Sequence, residues 1–126
     1  MLHSRCTSMR VLVTGGAGFI GANLVQHLSA NSAYDVVVLD NLSAGQPRPS
    51  FPRGVRFTCG DFTDKATMTE SLQGVDTVVH LAALSGVIDS VEDPRPSFEV
   101  NVAGSFQLLE LARAANVRRP THRALA

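Results

Sequence analysis

The sequence has no tryptophan, one tyrosine (Tyr34) and one lysine (Lys65) in 126 residues. No element of the chain can therefore carry a tyrosine and a lysine side by side. Cysteine is scarce too: Cys6 and Cys59 are too few for a disulfide framework or a metal cluster. Two isolated thiols fit packing roles in a reducing compartment. No apolar run approaches the ~20 residues that span a bilayer. Residues 1–8 also lack the apolar core of a secretory signal and read as a disordered leader. A cytoplasmic protein with no membrane partner is expected. Eleven basic and eleven acidic side chains cancel, and the pI is near 6.9. That balance gives no global reason to expect nucleic acid as a partner. What is present is a globular composition, 44% hydrophobic and 17% charged, at a length that suits one domain of roughly 100–150 residues.

Apolar runs alternate with helical patterns along the chain. Val11-Leu12-Val13, ending at Thr14, reads as a strand buried on both faces. Helical spacing follows from Phe19 to about Ala30. Val36 to Leu39, ending in Asp40, is a second strand, and residues 41–54, with Pro47, Pro49 and Pro52, are a long loop. Val55 to Thr58 makes a third strand. Thr63 or Asp64 caps a short helix through Met68 and Leu72. Val75 and Thr77 to Leu81 form a fourth strand. A long helix then starts near Ser97 and runs to about Ala115, with Phe98, Val102, Phe106, Leu109 and Ala112 as its amphipathic stripe. Such alternation predicts an α/β fold: a Rossmann-type parallel sheet of about four strands, order 3-2-1-4, with helices on both faces.

Gly15, Gly18 and Gly21 lie between the first strand and the first helix, where unpaired N–H groups and a partial positive charge suit a pyrophosphate. Asp40 ends the second strand 19 residues after Gly21, where a carboxylate can accept from adenosine ribose hydroxyls and repel a 2′-phosphate. NAD is favoured over NADP. Asp61-Phe62, at the end of the third strand, can flank the adenine. His80, alone on a buried strand, reads as a hydrogen-bonded structural residue rather than a catalyst. Asn101 is disfavoured inside a helix and suits pairing with a loop backbone or a ligand.

These residues resemble the extended short-chain dehydrogenase/reductase superfamily, in its NAD-dependent epimerase/dehydratase branch. The resemblance rests on Thr14-Gly-Gly-Ala-Gly-Phe-Ile-Gly21, Asp40-Asn-Leu-Ser-Ala-Gly45, Gly60-Asp-Phe-Thr-Asp64, His80-Leu-Ala-Ala83 and Ser90-Val-Glu-Asp-Pro94 with Asn101-Val-Ala-Gly104. It covers residues 9–119 and is narrowest toward UDP-sugar 4-epimerases. It implies that Gly15, Gly18, Phe19, Ile20 and Gly21 cradle the pyrophosphate of NAD. Asp40 and Asn41 would face the ribose with Ser43 and Gly45 close by, and Asp61 and Phe62 would hold the adenine. Leu81, Ala82 and Ala83 would line the nicotinamide side, and Asn101 would be a structural helix residue. In such a family NAD takes a hydride from C4 of a nucleotide sugar and returns it to the other face. The full-length proteins are expected to be homodimers.

The family's base is a Tyr-x-x-x-Lys pair, in which the ammonium lowers the phenol pKa. Tyr34 and Lys65 lie on different elements and cannot form it, so no catalytic residue is assigned and the chain is expected to be inactive alone. After Arg119 the resemblance stops, and residues 120–126 read as a divergent tail. Codons for that tail permit Tyr-Ala-Ser-Ser-Ser in another frame, so a frameshifted, truncated epimerase gene is the expectation. The fourth strand's outer edge would then lie open and the long helix would lose packing surface, with marginal stability or association following. The alternatives are a 4,6-dehydratase fragment, whose discriminating acidic residues would lie beyond Arg119, a non-catalytic NAD-binding regulatory module, and an α/β domain with no ligand.

Overall fold

Four consecutive buried positions, Val11 to Thr14, set the centre of the molecule. A strand can bury every residue only where helices cover both faces of its sheet. The computed structural model describes residues 8–43, 49–84 and 91–117, and the backbone at 119–122. Residues 1–7, most of the expected leader, lie outside the described residues. So do Gly45 and Ser90.

The sheet is parallel throughout, in the order β3-β2-β1-β4-β5. Its strands are β1 (Met9–Thr14), β2 (Tyr34–Asp40), β3 (Arg56–Cys59), β4 (Thr77–His80) and β5 (Arg119–His122). The first four stand in the order that the sequence predicts. The fifth departs from expectation: it runs from the last residue of the expected domain into the stretch read as a divergent tail, and it pairs Thr77 with Arg119 through His80 with His122. Ladder bonds are made by backbone groups and need no apolar side chains, so a short polar run can close the outer edge of β4. Pro120, which has no N–H to donate, is tolerated because β5 is an edge strand among the described residues.

Period-two alternation sends the strand side chains into two cores. On one face Leu12, Leu39 and Val78 meet Met68 and Leu72, from helix α2 (Lys65–Ser71) and its C-cap, and Leu108 and Ala112 from helix α3 (Gly104–Ala114). On the other, Val11, Val13, Val36 and Val38 pack on Val25 of helix α1 (Phe19–Ser29). Leu12, Met68, Leu72 and Leu108 are essentially inaccessible, each contributing roughly 1.5–3 kcal/mol relative to exposure. Of the two expected caps for α2, Asp64 is the one used: its carboxylate accepts from the Thr67 N–H at 3.0 Å. Asn116, at φ 60°, ends α3 in the left-handed region, and the Val117 N–H closes back on the Ala112 carbonyl.

Two other expectations are corrected. Of the stripe on the long helix only Ala112 is buried, while Phe98, Val102, Phe106 and Leu109 are exposed. The helix docks instead through Gly104, Ser105, Leu108 and Ala112. Gly104 decides this, since its missing side chain lets the helix sit on Phe62 and Thr63, each of which a Cβ would meet at 3.0 Å. Cys59, read as a packing residue, is exposed at the end of β3 with a free thiol.

Candidate functional site

The carboxyl ends of β1, β2, β3 and β4 open into a cleft of about 420 Å³. Crevices at this end of a parallel sheet, where successive crossovers leave in opposite directions, are its natural ligand sites. Here β1 feeds α1 toward β2, while β4 feeds the long helix toward β5.

Glycines shape the cleft floor. Gly15 has φ 73°, and a Cβ on it would sit 2.7 Å from the backbone nitrogen of Ala82. A Cβ on Gly21 would collide with the carbonyl oxygen of Gly15, and one on Gly16 would stand 2.6 Å from Val38 Cγ1. The turn is thus pressed simultaneously against the segment after β4, against β2 and against the first turn of α1, and only glycine fits. Helix α1 starts directly behind it, with Gly18 at the N-cap, no side-chain cap and no acidic residue in the first turn. Nothing in that turn competes with an incoming anion.

Asp40 and Asp61 build the β2 and β3 side. The Asp40 carboxylate accepts from the Ala17 N–H at 2.9 Å and the Leu42 N–H at 2.8 Å. It therefore ties the glycine turn to the end of β2 and holds Leu42 at φ 59°. Two of its lone-pair positions remain, and Asp40 lines the cleft. Asn41 folds the next turn by accepting from the Ser43 N–H. Asp61 accepts from both the backbone N–H and the hydroxyl of Thr63. These side chains shape their own loops, as Asx turns do.

The opposite wall is Leu81, Ala82, Ala83 and Leu84. Asn101 reaches it from a π-helical segment (Phe98–Ala103) that precedes α3. Its amide donates to the Leu84 carbonyl at 2.9 Å, and its carbonyl accepts from the Leu84 N–H at 2.8 Å. The wide π turn re-aims one side chain out of the regular helical pattern.

Most of the residues singled out by sequence therefore converge on one cleft: Gly15, Gly18, Asp40, Asn41, Ser43, Asp61, Phe62, Leu81, Ala82 and Ala83 line it. Gly21 packs beneath the turn. Phe19 and Ile20, exposed at the start of α1, are not among the lining residues. Asn101 acts through Leu84, and the Phe62 ring is buried edge-on against His80. Leu39, Gly60, Leu84 and Val100 also line the cleft and went unread. Only Gly60 carried a signal, beside Asp61.

Residues 11–123 match the model of the NAD dependent epimerase/dehydratase family. The chain belongs to that family. It is 44% identical over 115 residues to a UDP-glucose 4-epimerase of Streptomyces lividans, a match that covers 89% of this chain and 34% of the relative. It is 43% identical over 115 residues to a dTDP-glucose 4,6-dehydratase of Mycolicibacterium smegmatis, covering 87% of this chain and 34% of that one. Among solved structures, Thermus thermophilus UDP-glucose 4-epimerase in complex with NAD superposes with a TM-score of 0.79 at 44% identity. That match covers 89% of this chain and 36% of the other. The chain thus spans about a third of the length of the family members it matches. Its cleft fits the family's cofactor on its own geometry: a glycine cradle that any Cβ would fill, an uncapped helix start, and a strand-end carboxylate with acceptor capacity to spare.

Proposed function

We propose that residues 9–119 are the NAD-binding portion of a cytoplasmic nucleotide-sugar 4-epimerase-like protein, and that these 126 residues bind the dinucleotide without catalysing turnover. One observation carries this: the glycine turn and Asp40 are joined by the Ala17–Asp40 hydrogen bond within a single cleft. Phosphate oxygens would meet the turn and the open N–H groups of α1. Asp40 would accept from the ribose hydroxyls, with Asn41 and Ser43 beside it, and Asp61 and Phe62 would bracket the adenine. Leu81 to Ala83 would flank the nicotinamide side.

Bound NAD supplies a hydride acceptor, but accepting a hydride from an alcohol also requires a base for the hydroxyl proton. Tyr34 begins β2 and Lys65 begins α2, and neither lines the cleft. The base and the sugar-recognising groups would come from the remaining two-thirds of a full-length protein, which would act as a homodimer on a UDP-sugar. No helix among the described residues is long and apolar enough to cross a membrane. Calorimetric titration of the chain with NAD and NADP tests the proposal. Saturable NAD binding with markedly weaker NADP binding is expected; folded protein that gives no heat with NAD would overturn it.

A further inference from the structure

Behind the cleft lies a buried polar chain that the proposed binding contacts do not use. Thr14 Oγ1 is 2.6 Å from His80 Nδ1, and His80 Nε2 is 3.0 Å from Ser105 Oγ. All three residues are buried, on β1, β4 and α3. The same Thr14 oxygen accepts from the Ala82 N–H at 3.3 Å and, at 3.2 Å, shares the Leu81 N–H with the Thr14 backbone carbonyl, which accepts it at 3.0 Å. A hydroxyl has two acceptor lone pairs and one proton. With both lone pairs turned to backbone N–H groups, the Thr14 proton is directed at His80 Nδ1. That nitrogen must then be bare, and the ring proton sits on Nε2, donated to Ser105.

We propose that His80, as the neutral Nε2-protonated tautomer, is a positioning residue for the cleft: by taking the Thr14 proton it aims the Thr14 lone pairs at Leu81 and Ala82 and fixes that backbone against Gly15. The contact is close, since a Cβ on Gly15 would stand 2.7 Å from the Ala82 nitrogen and 2.9 Å from its Cα. A small shift of the segment after β4 would therefore displace the glycine turn. The edge-on Phe62 ring, with its centroid 4.6 Å from that of His80, restrains the imidazole from the β3 side. In a low-dielectric surrounding a mis-set proton is costly, because it leaves a buried donor facing a donor.

The consequence for NAD rests on the proposed function, but the positioning role can be tested without ligand. Two-bond ¹⁵N–¹H correlation spectra of the 126-residue chain at neutral pH should show His80 protonated on Nε2 and bare at Nδ1. A proton on Nδ1 would sink the proposal. In Thr14→Val and His80→Leu, amide exchange at Ala82 should quicken about tenfold, while Leu81, which keeps its bond to the Thr14 carbonyl, and Val13 and Val38 hold their protection. His80→Asn, whose side-chain carbonyl can still accept from Thr14, should restore most of the protection at Ala82. Equal exchange in His80→Asn and His80→Leu would contradict the role. NAD affinity should follow the same ranking, weakened about five- to tenfold in the first two variants. Wild-type protein that binds no NAD would overturn the functional proposal alone, because tautomer and exchange still decide the positioning role.

Discussion

The two sides of the cleft are built by different means. On the β2 and β3 side, Asp40, Asn41 and Asp61 each fix a turn two residues ahead, and only the Asp40 bond to Ala17 reaches another element. On the β4 side, the wall is held by groups distant in sequence: Thr14 to His80 and Leu81, His80 to Ser105, Asn101 to Leu84. Local turns can be cut one at a time and still leave a sheet. The cross-element bonds are buried or pressed on backbone, so damage there spreads into packing. The carboxylate side would set which dinucleotide is accepted, and the β4 side would set the shape of the floor.

Gly15→Ala should break that contrast most severely, because Gly15 is where the two sides touch. The added methyl meets the backbone of Leu81 and Ala82, just after β4, and forces φ 73° on an alanine, costing about 2–4 kcal/mol from overpacking and a left-handed conformation combined. Denaturant melts should show the loss, with NAD binding abolished in whatever remains folded. Ser105→Ala ranks next. It strips the acceptor from His80 Nε2 and should cost about 1–3 kcal/mol, read as a lower urea midpoint with an unchanged slope.

Much of this was legible in sequence, for identifiable reasons. The glycine turn and Asp40 announce themselves because each needs a particular residue type at a particular strand end. β1, β2 and β4 are β-branched apolar runs, and the sheet order follows from alternation. The docking face of the long helix was not legible, since two apolar stripes compete there. Gly104, a residue with no side chain, chooses between them by admitting Phe62. β5 was hidden because Arg119 to His122 form no apolar run, and the ladder that pairs them with β4 is made by backbone groups. The longest link of the Thr14–His80–Ser105 chain spans 66 positions, and no local pattern marks Ser105 as its end.

Asp40→Asn sharpens the comparison from the other side. An amide keeps one acceptor oxygen, so it can hold Leu42 or Ala17 but loses the charge and one of the two bonds. Stability should fall by about 1 kcal/mol. The preference for NAD over NADP should narrow sharply in paired titrations, since a 2′-phosphate no longer meets a carboxylate. If selectivity survives intact, Asp40 serves only its turn.

The smallest effect should come from Asp64, which caps α2 away from the cleft. Its hydrogen bonds from the Thr67 hydroxyl, and then from the Thr67 N–H, hold its pKa below the ordinary carboxylate value. A folded pKa below the unfolded one means that the contribution is fully present above the unfolded value and is lost as pH falls through the folded one. Asp64→Ala should lower the thermal midpoint slightly at neutral pH and leave NAD affinity unchanged. Asp64→Asn keeps a cap at neutral pH but should flatten this part of the acid dependence. Melting curves from neutral pH down into the acid range separate the two variants. A change in NAD affinity in either would mean that the carboxylate side of the cleft is less local than its turns imply, because α2 follows directly from the Asp61 turn.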